Sequence, residues 1–116
     1  MTQHAPLSVD AVPLEEIAST FAALGSEQRL SVLRTLVRAG PDGLTIGALG
    51  ERSGVTGSTL THHMRVLSQA GLVNQTRKGR QIICVGADYD RMETLSRFLL
   101  SECCADSDAS KGHTNG

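Results

Sequence analysis

The sequence predicts a single, mainly α-helical domain that carries one small β-hairpin. Apolar residues recur at helical spacing between residues 14 and 67, and again between residues 92 and 99. Between these stretches the period changes to that of short strands, on either side of a Gly-containing turn at residues 77–80. A chain of 116 residues with 40% hydrophobic residues can build one core but not two. We therefore expect one folded unit.

The first two helices are predicted from their apolar stripes and from the residues that begin and end them. The first ends at Gly25, and Ser26 is a suitable N-cap for the second. The second helix stops at the strong turn GPDG of residues 40–43. The two stripes are Leu14, Ile17, Phe21 and Leu24, and Leu30, Leu33, Leu36 and Val37.

Three further helices follow from the same signals. A short third helix covers roughly residues 45–52, and Thr56 can cap a fourth that ends before Gly71. The fifth helix begins at Asp88 or Asp90. Their stripes are Ile46 and Leu49, then Leu60, Met64 and Leu67, and finally Met92, Leu95, Phe98 and Leu99.

The hairpin and the two chain ends complete the expected organisation. Residues 72–76 and 81–85 are predicted to be its two strands. Residues 1–11 are polar and irregular, and we expect a flexible arm there. Residues 105–116 lack apolar periodicity and should form a disordered tail. The folded domain is therefore placed at residues 12–104.

Several features indicate a protein of the cytoplasm. No run approaches the roughly 18 apolar residues needed to span a bilayer, so no membrane partner is expected. The N-terminus lacks a basic region followed by an apolar stretch, so it is not a secretory signal. The three cysteines are an odd number, and in a reducing compartment thiols are more often ligands or sensors than disulfide partners.

Charge is distributed unevenly along the chain, although the formal net charge is only −1. Residues 52–80 contain five basic side chains and no Asp or Glu, whereas the segments on both sides are net acidic. A basic segment between acidic flanks is the local footprint that phosphate binding requires. The charge pattern therefore indicates a nucleic-acid partner for the middle of the chain.

Two short helices joined by a turn with Gly54, the second followed by a hairpin, predict a winged helix-turn-helix. When the apolar stripe of the fourth helix faces the core, its opposite face is short, hydrogen-bonding and cationic, which suits the major groove of duplex DNA. The N-terminus of this helix can meet phosphates, and the basic hairpin can reach the adjacent backbone or minor groove. The predicted DNA-contacting residues are Thr56, Ser58, Thr59, Thr61, His62, Arg65, Arg77, Lys78 and Arg80.

The adjacent histidines His62 and His63 raise the question of a metal or catalytic site. Neighbouring helical residues point about 100° apart, so the pair is a poor chelate. His63 falls beside the apolar stripe and is expected to be a satisfied, partly buried side chain, whereas His62 is the better candidate for DNA contact. No nucleophile, base and orienting residue form a set elsewhere, so we expect no enzyme.

Three segments make the chain resemble a known family: residues 21–37 (FAALGSEQRLSVLRTLV), residues 44–73 (LTIGALGERSGVTGSTLTHHMRVLSQAGLV) and residues 77–85 (RKGRQIICV). Over roughly residues 13–104 the chain resembles the ArsR/SmtB family of bacterial metal-responsive repressors. The resemblance implies a homodimer, built through the first and last helices, that binds an imperfect palindrome in double-stranded operator DNA and releases it when an inducer binds. The apolar stripes of the terminal helices support such a dimer, because a domain of this size has little left to cover both.

The usual metal sites of that family do not carry over. Many members hold thiolates in a Cys-x-Cys on the third helix, which has no cysteine here. Others bind zinc through Asp and His pairs on the last helix. This chain offers Asp88, Asp90 and Glu93 there, but its only C-terminal histidine is His113 in the tail. The segment SECCAD (residues 101–106) instead looks like the arsenic-responsive variant with cysteines at the end of the last helix.

The cysteines are the candidate inducer ligands. Cys103 and Cys104 have Cα atoms about 3.8 Å apart, below the disulfide range, and their side chains diverge by about 100° if the helix persists. Cys84 lies on the same strand face as Ile82 and should point toward packed structure. Three soft thiolates favour a thiophilic centre, and trivalent arsenic or antimony takes three sulfurs, whereas a mono-organic arsenical takes two. We expect Cys84, Cys103 and Cys104 to bind such an inducer, with no obligatory cofactor.

Other interpretations stay open at this point. The cysteines could act as a redox or sulfide sensor through a Cys84–Cys103 or Cys84–Cys104 disulfide. The chain could be a thiol metal carrier that binds no DNA. Cys84 could be a small core residue, since free cysteines are commonly buried, with the adjacent pair incidental. Whether a thiol site lies within one subunit or between two, and which of the adjacent pair is essential, is equally open.

Overall fold

The computed structural model describes residues 12–86, 89–101, 103, 104, 106 and 107. The predicted N-terminal arm, Asp88 as a helix start and most of the predicted tail lie outside the described residues. Within the described parts the elements are, in order, α1 (Leu14–Ala23), α2 (Glu27–Ala39), β1 (Leu44–Thr45), α3 (Ile46–Ser53), α4 (Gly57–Gln69), β2 (Val73–Lys78), β3 (Gln81–Gly86) and α5 (Tyr89–Ser101). The predicted class, mainly helical with a small sheet and a winged helix-turn-helix, is confirmed.

Side-chain caps explain where α2 and α3 begin. Ser26 Oγ accepts a hydrogen bond from the backbone N–H of Arg29 at 3.3 Å, which satisfies one of the free amides in the first turn of α2. Thr45 Oγ1 does the same for Ala48 N–H at 3.1 Å, so α3 begins one residue later than predicted. Gly54 has a φ of 78° and ends α3 in the left-handed conformation that glycine adopts without strain.

The sheet has three antiparallel strands in the order β1-β3-β2, one more than the predicted hairpin. β1 consists of two residues that pair with the centre of β3, Leu44 opposite Cys84 and Thr45 opposite Ile83. Two residues are too few for a periodic signal, so the sequence pattern missed this strand. β1 makes β3 the central strand and encloses it on both edges.

The hairpin itself is tighter than predicted. β2 continues to Lys78, which pairs with Gln81, so Arg77 and Lys78 lie in the strand. The turn consists of Gly79 and Arg80 instead of four residues, and Gly79 has a positive φ of 63°. A two-residue turn of this kind requires such a backbone conformation, which glycine supplies.

The core is aliphatic and is built mainly from α2, α3, α4 and the sheet. In α2, Val32, Leu33 and Leu36 are buried, but Leu30 and Val37 are 50% and 54% exposed. The predicted stripe of α2 is therefore wrong at these two positions, because spacing alone admits either of two neighbouring helix faces. The buried apolar residues are Ile17, Ala23, Val32, Leu33, Leu36, Leu49, Val55, Leu60, Met64, Leu67, Leu72, Val73, Cys84 and Leu95.

Both terminal helices leave apolar side chains at the surface of the single subunit. Leu14 of α1 is 68% exposed, and Leu99 and Leu100 of α5 are 62% and 73% exposed. Arg91 of α5 forms an ion pair with Glu16 of α1 at 3.3 Å, which holds the two helices side by side. None of the described helices is both long enough and apolar enough to cross a membrane.

Candidate nucleic-acid interface and thiol sites

The outer face of α4 carries the predicted base-contacting residues. Leu60, Met64 and Leu67 are buried and fix the helix on the core. Arg65 has no ion-pair partner among the described residues, so its guanidinium keeps its N–H donors for an external acceptor. The outward orientation predicted for α4 is confirmed, because the following residues are all exposed: Ser58, Thr59, Thr61, His62 and Arg65.

The N-terminus of α4 lacks a side-chain cap. Thr56 occupies the N-cap position as predicted, but its hydroxyl makes no capping hydrogen bond. Gly57 follows with a φ of 65°, and a Cβ at this position would meet nothing within 4 Å. The unpaired amides at a helix N-terminus attract anions, and here no side chain competes for them. This local geometry suits contact with a DNA phosphate better than a capped helix would.

The surface beside α4 is low because α3 carries two glycines. A Cβ at Gly50 would lie 3.3 Å from Thr56 Cγ2 and 3.3 Å from the Val55 carbonyl oxygen, so Gly50 allows α3 to pack closely on the turn before α4. Gly47, one turn earlier, is exposed and has nothing within 4 Å of a would-be Cβ. A shallow groove of about 340 Å³ runs between α3 and the start of α4. The groove leaves room for another backbone to come close.

His63 anchors the inner side of α4 to the first turn of α2. Its Nε2 lies 3.0 Å from Gln28 Oε1 and donates to it, since that oxygen can only accept. Its Nδ1 is buried without a hydrogen-bond partner among the described residues. Burial, then the charge of Arg29 and that of His62, lower the pKa of His63 below its ordinary value. The expected satisfied histidine is thus satisfied at one nitrogen only, and Gln28, 35 residues earlier, gave no sequence signal.

The wing presents three cations close together. Arg77, Lys78 and Arg80 are exposed, and none has an acidic partner among the described residues. Strand pairing holds Arg77 opposite Ile82 and Lys78 opposite Gln81. Because neighbouring strand residues point to opposite faces, the hairpin offers positive charge on both faces. This charge can approach a phosphate backbone from more than one side.

Cys84 is enclosed at the centre of the sheet. Its side chain is 0% exposed, and it lies on β3 between Leu44 of β1 and Gln75 of β2. The prediction that Cys84 points toward packed structure is confirmed. Burial raises the pKa of its thiol and so lowers the fraction of thiolate, the form that binds metals and attacks disulfides. A reagent can reach this sulfur only when the sheet opens locally.

Cys103 and Cys104 lie at the surface, beyond the end of α5. The helix stops at Ser101 and Cys104 has a left-handed backbone with a φ of 62°, so the divergence expected on a continuing helix does not arise. The two sulfurs lie 3.6 Å apart, and the hydrogen bond with Cys103 raises the pKa of the Cys104 thiol. No three His, Cys, Asp or Glu side chains in the described ranges are placed to share a metal ion. One subunit therefore does not bring Cys84 to the adjacent pair.

Comparison with known proteins agrees with this surface. A family model described as a helix-turn-helix domain matches residues 24–76. The HTH-type transcriptional regulator NmtR of Mycobacterium tuberculosis is 38% identical over 98 residues, which cover 84% of this chain and 73% of that protein. The HTH-type regulator YceK of Bacillus subtilis is 36% identical over 83 residues, which cover 71% of this chain and 81% of the relative. Fold, exposed α4 and basic wing together define a DNA-binding protein of the winged helix-turn-helix class.

Solved structures narrow this class to one family. An ArsR-like transcriptional regulator from Rhodococcus sp. RHA1 superposes with a TM-score of 0.64 at 25% identity, covering 87% of this chain and 96% of that one. The homodimeric winged helix-turn-helix DNA-binding domain from Mycobacterium bovis gives a TM-score of 0.61 at 21% identity, with coverages of 98% and 100%. The chain belongs to the ArsR/SmtB family of transcriptional regulators, as its resemblance implied. These are DNA-binding regulators and not enzymes, which agrees with the prediction and leaves no basis for a carrier that binds no DNA.

Proposed function

We propose that this protein is a homodimeric repressor that leaves its operator when trivalent arsenic binds its cysteine thiolates. The observation that carries the proposal is the exposed pair Cys103 and Cys104, whose sulfurs lie 3.6 Å apart directly after α5. Soft thiolates select thiophilic centres, of which trivalent arsenic and antimony are examples. Each arsenic–sulfur bond forms as a thiol gives up its proton and an oxygen ligand leaves the arsenic as water.

The proposed DNA contacts follow from the exposed residues of α4 and the wing. α4 lies in the major groove, where Arg65 is placed to donate to a guanine and His62 to contact a neighbouring base edge. Thr56 and Ser58 meet phosphates at the start of the helix, where the amides are uncapped. The wing cations contact the adjacent backbone or minor groove.

A dimer explains the apolar residues that one subunit leaves uncovered. Leu14, Leu99 and Leu100 are more than half exposed and sit on the first and last helices. In a two-fold dimer the same patch is used by both subunits, so these two helices can cover their counterparts. The domain from Mycobacterium bovis with the same fold is homodimeric. Two-fold symmetry also places two recognition helices about one turn of DNA apart, which a palindrome requires.

Cys84 is proposed as the sulfur that makes capture consequential. It is buried in β3, the strand that pairs with the wing strand β2, so exposing its sulfur disturbs the hairpin that touches DNA. A ligand can shift the equilibrium only through its preference for one state. The DNA-bound state must therefore hold the three sulfurs less favourably than the released state. An arsenical that binds only two sulfurs needs the adjacent pair alone.

A redox or sulfide sensor is the second candidate, and the exposure of two neighbouring thiols favours it. Cys103 and Cys104 are accessible to oxidants, and oxidation follows thiolate character and exposure. A disulfide to Cys84 requires the same opening of the sheet as arsenic binding does. The two candidates therefore differ in the chemical that releases DNA and not in the structural change.

A DNA-release titration separates the candidates. The parent protein and the variants Cys84→Ala, Cys103→Ser and Cys104→Ser are titrated, on labelled duplex, with arsenite, a mono-organic trivalent arsenical and peroxide. We expect arsenite to release the parent and to fail with Cys84→Ala, and one of the two serine variants to lose more response than the other. If Cys84→Ala responds like the parent to both arsenicals, the three-thiol site is wrong. Release by peroxide alone supports the redox candidate.

The DNA contacts are tested with two arginine variants. Arg65→Ala should weaken binding by about 1–3 kcal/mol and relax base preference, as expected for a lost bidentate base contact. Arg77→Ala should weaken binding on all sequences alike and reduce the salt slope by about 0.9 for a lost phosphate contact. Arg97→Ala, in an ion pair with Glu93 on α5, is the control for removing one positive charge. Unchanged affinity in both test variants would remove the proposed DNA surface.

A further inference from the structure

Three arginines line one cleft between α2 and α3, apart from the residues assigned to α4 and the wing. The cleft has a volume of about 520 Å³, and its wall includes Arg34 and Arg38, one turn apart on α2, and Arg52 in the last turn of α3. The remaining lining residues are Thr35 and Ala39. No acidic side chain lines the cleft.

The positive charge of this cleft is uncompensated within the subunit. None of the three arginines has an ion pair or hydrogen bond among the described residues. Arg34 and Arg38 stand at i,i+4 spacing, where like charges destabilise a helix by a few tenths of a kcal/mol. Arg38 and Arg52 each face a helix C-terminus, which carries about half a negative charge. Two such half-charges against three guanidinium groups leave a net charge of about +2.

The donors in the cleft select the kind of anion. Thr35 Oγ1 donates its proton to the Ser31 carbonyl oxygen at 2.8 Å, so the guanidinium groups are the donors that remain. Guanidinium forks match the oxygens of phosphate and bind them in pairs of parallel hydrogen bonds. From this we infer that the cleft between α2 and α3 binds a phosphate group. The cleft is wider than one phosphate, which suits a phosphodiester chain that crosses it.

The position of Arg52 favours the backbone of DNA as the source of that phosphate. Arg52 is the first residue of the basic segment 52–80 and lies one residue before the end of α3. α3 is the first helix of the helix-turn-helix, and in this motif the first helix crosses the DNA backbone. The cleft would thus extend the footprint of the protein beyond the bases that α4 reads. This assignment of the source rests on the proposed DNA binding, whereas the phosphate site itself does not.

The experiment compares the double variant Arg34→Gln/Arg38→Gln, the single variant Arg52→Gln and the control Arg97→Gln. Duplex affinity is measured against salt concentration for each protein and for the parent. In a second arm, thermal unfolding without DNA is followed in inorganic phosphate and in chloride at equal ionic strength. All the substituted side chains are exposed, so the fold should persist, and the unfolding curves in chloride verify it.

We expect the double variant to bind duplex at least about 10-fold more weakly and its salt slope to fall by about 1–2, at about 0.9 per lost phosphate contact. Arg97→Gln should behave like the parent. If duplex binding is unchanged but phosphate raises the Tm of the parent and not that of the double variant, the site binds free phosphate and the DNA source is overturned. If neither arm separates the double variant from Arg97→Gln, the phosphate site is overturned. A parent protein that binds no duplex refutes the proposed function, and the second arm still decides the cleft.

Discussion

Replacement of Cys84 by serine tests whether this sulfur is packed as the structure describes. The side chain is 0% exposed on the central strand, so a serine hydroxyl would leave water without a provided partner. A buried hydroxyl without a hydrogen bond costs about 1–3 kcal/mol. Replacement by alanine instead removes one heavy atom of apolar character, and the loss should be near the 0.8 kcal/mol of a buried methylene, or roughly 1 kcal/mol with the cavity.

The two substitutions therefore separate polarity from volume. If polarity decides, Cys84→Ser is less stable than Cys84→Ala, although serine is the closer match in size. For a domain of this length 1 kcal/mol corresponds to about 4–8 °C in Tm, so a loss of about 2 kcal/mol lowers Tm by roughly 8–16 °C. Cys103→Ser and Cys104→Ser are the matched controls, and their exposed positions predict changes within about 0.5 kcal/mol.

The assay is thermal and urea unfolding of the reduced protein at one fixed concentration, because the Tm of a dimer depends on concentration. A second reading comes from pH. Burial raises the pKa of the Cys84 thiol, so the unfolded state loses its proton first as pH rises, and stability should fall above the ordinary thiol pKa. This fall should disappear in Cys84→Ala. A Cys84→Ser protein as stable as the parent, or more stable than Cys84→Ala, would refute the buried placement of this thiol.

Three further predictions concern α4, α5 and α3. The pKa of His63 is lowered in the folded state, so stability should be complete above about pH 6.5, the ordinary histidine value, and should fall as pH drops below it; urea titrations should show this slope flattened in His63→Gln and retained in His62→Gln. Leu99→Glu should give a folded monomer by sedimentation, because the side chain is 62% exposed in one subunit, and a persistent dimer would contradict the proposed interface. Gly47→Ala adds a Cβ in open space on a helix and should raise the free energy of unfolding by about 0.5–1 kcal/mol; a lower value would show that α3 has less room than described.

The same Gly47→Ala variant also reports on DNA. An unchanged or higher stability combined with weaker duplex binding would locate α3 against the DNA backbone, since the added methyl group touches nothing in the protein itself. Equal duplex affinity in variant and parent would keep the backbone away from this part of α3.

The sequence by itself determined the order of helices, the hairpin and the outward face of α4. These features depend on neighbours a few residues apart. The helix stripe of Leu60, Met64 and Leu67 decides which side of α4 is buried, and local caps such as Ser26 decide where a helix begins. The family could also be recognised, because its most specific segments coincide with these local elements.

Tertiary structure alone decided the features that join distant residues. β1 exists because Leu44 pairs with Cys84, and His63 is anchored by Gln28 from another helix. The pair Cys103 and Cys104 converges because α5 stops at Ser101, which apolar periodicity did not predict.

The face of α2 that is buried and the arginine cleft beside it depend on how α2 and α3 pack. Leu30 and Val37 continue the apolar spacing of the helix yet remain exposed, since only the neighbours in space decide which margin of the stripe is covered. Arg34 and Arg38 could be read as a pair on one helix, but Arg52 joins them only through the fold. Contacts between residues far apart in the chain carry no periodic signal, and for that reason they belong to the tertiary structure.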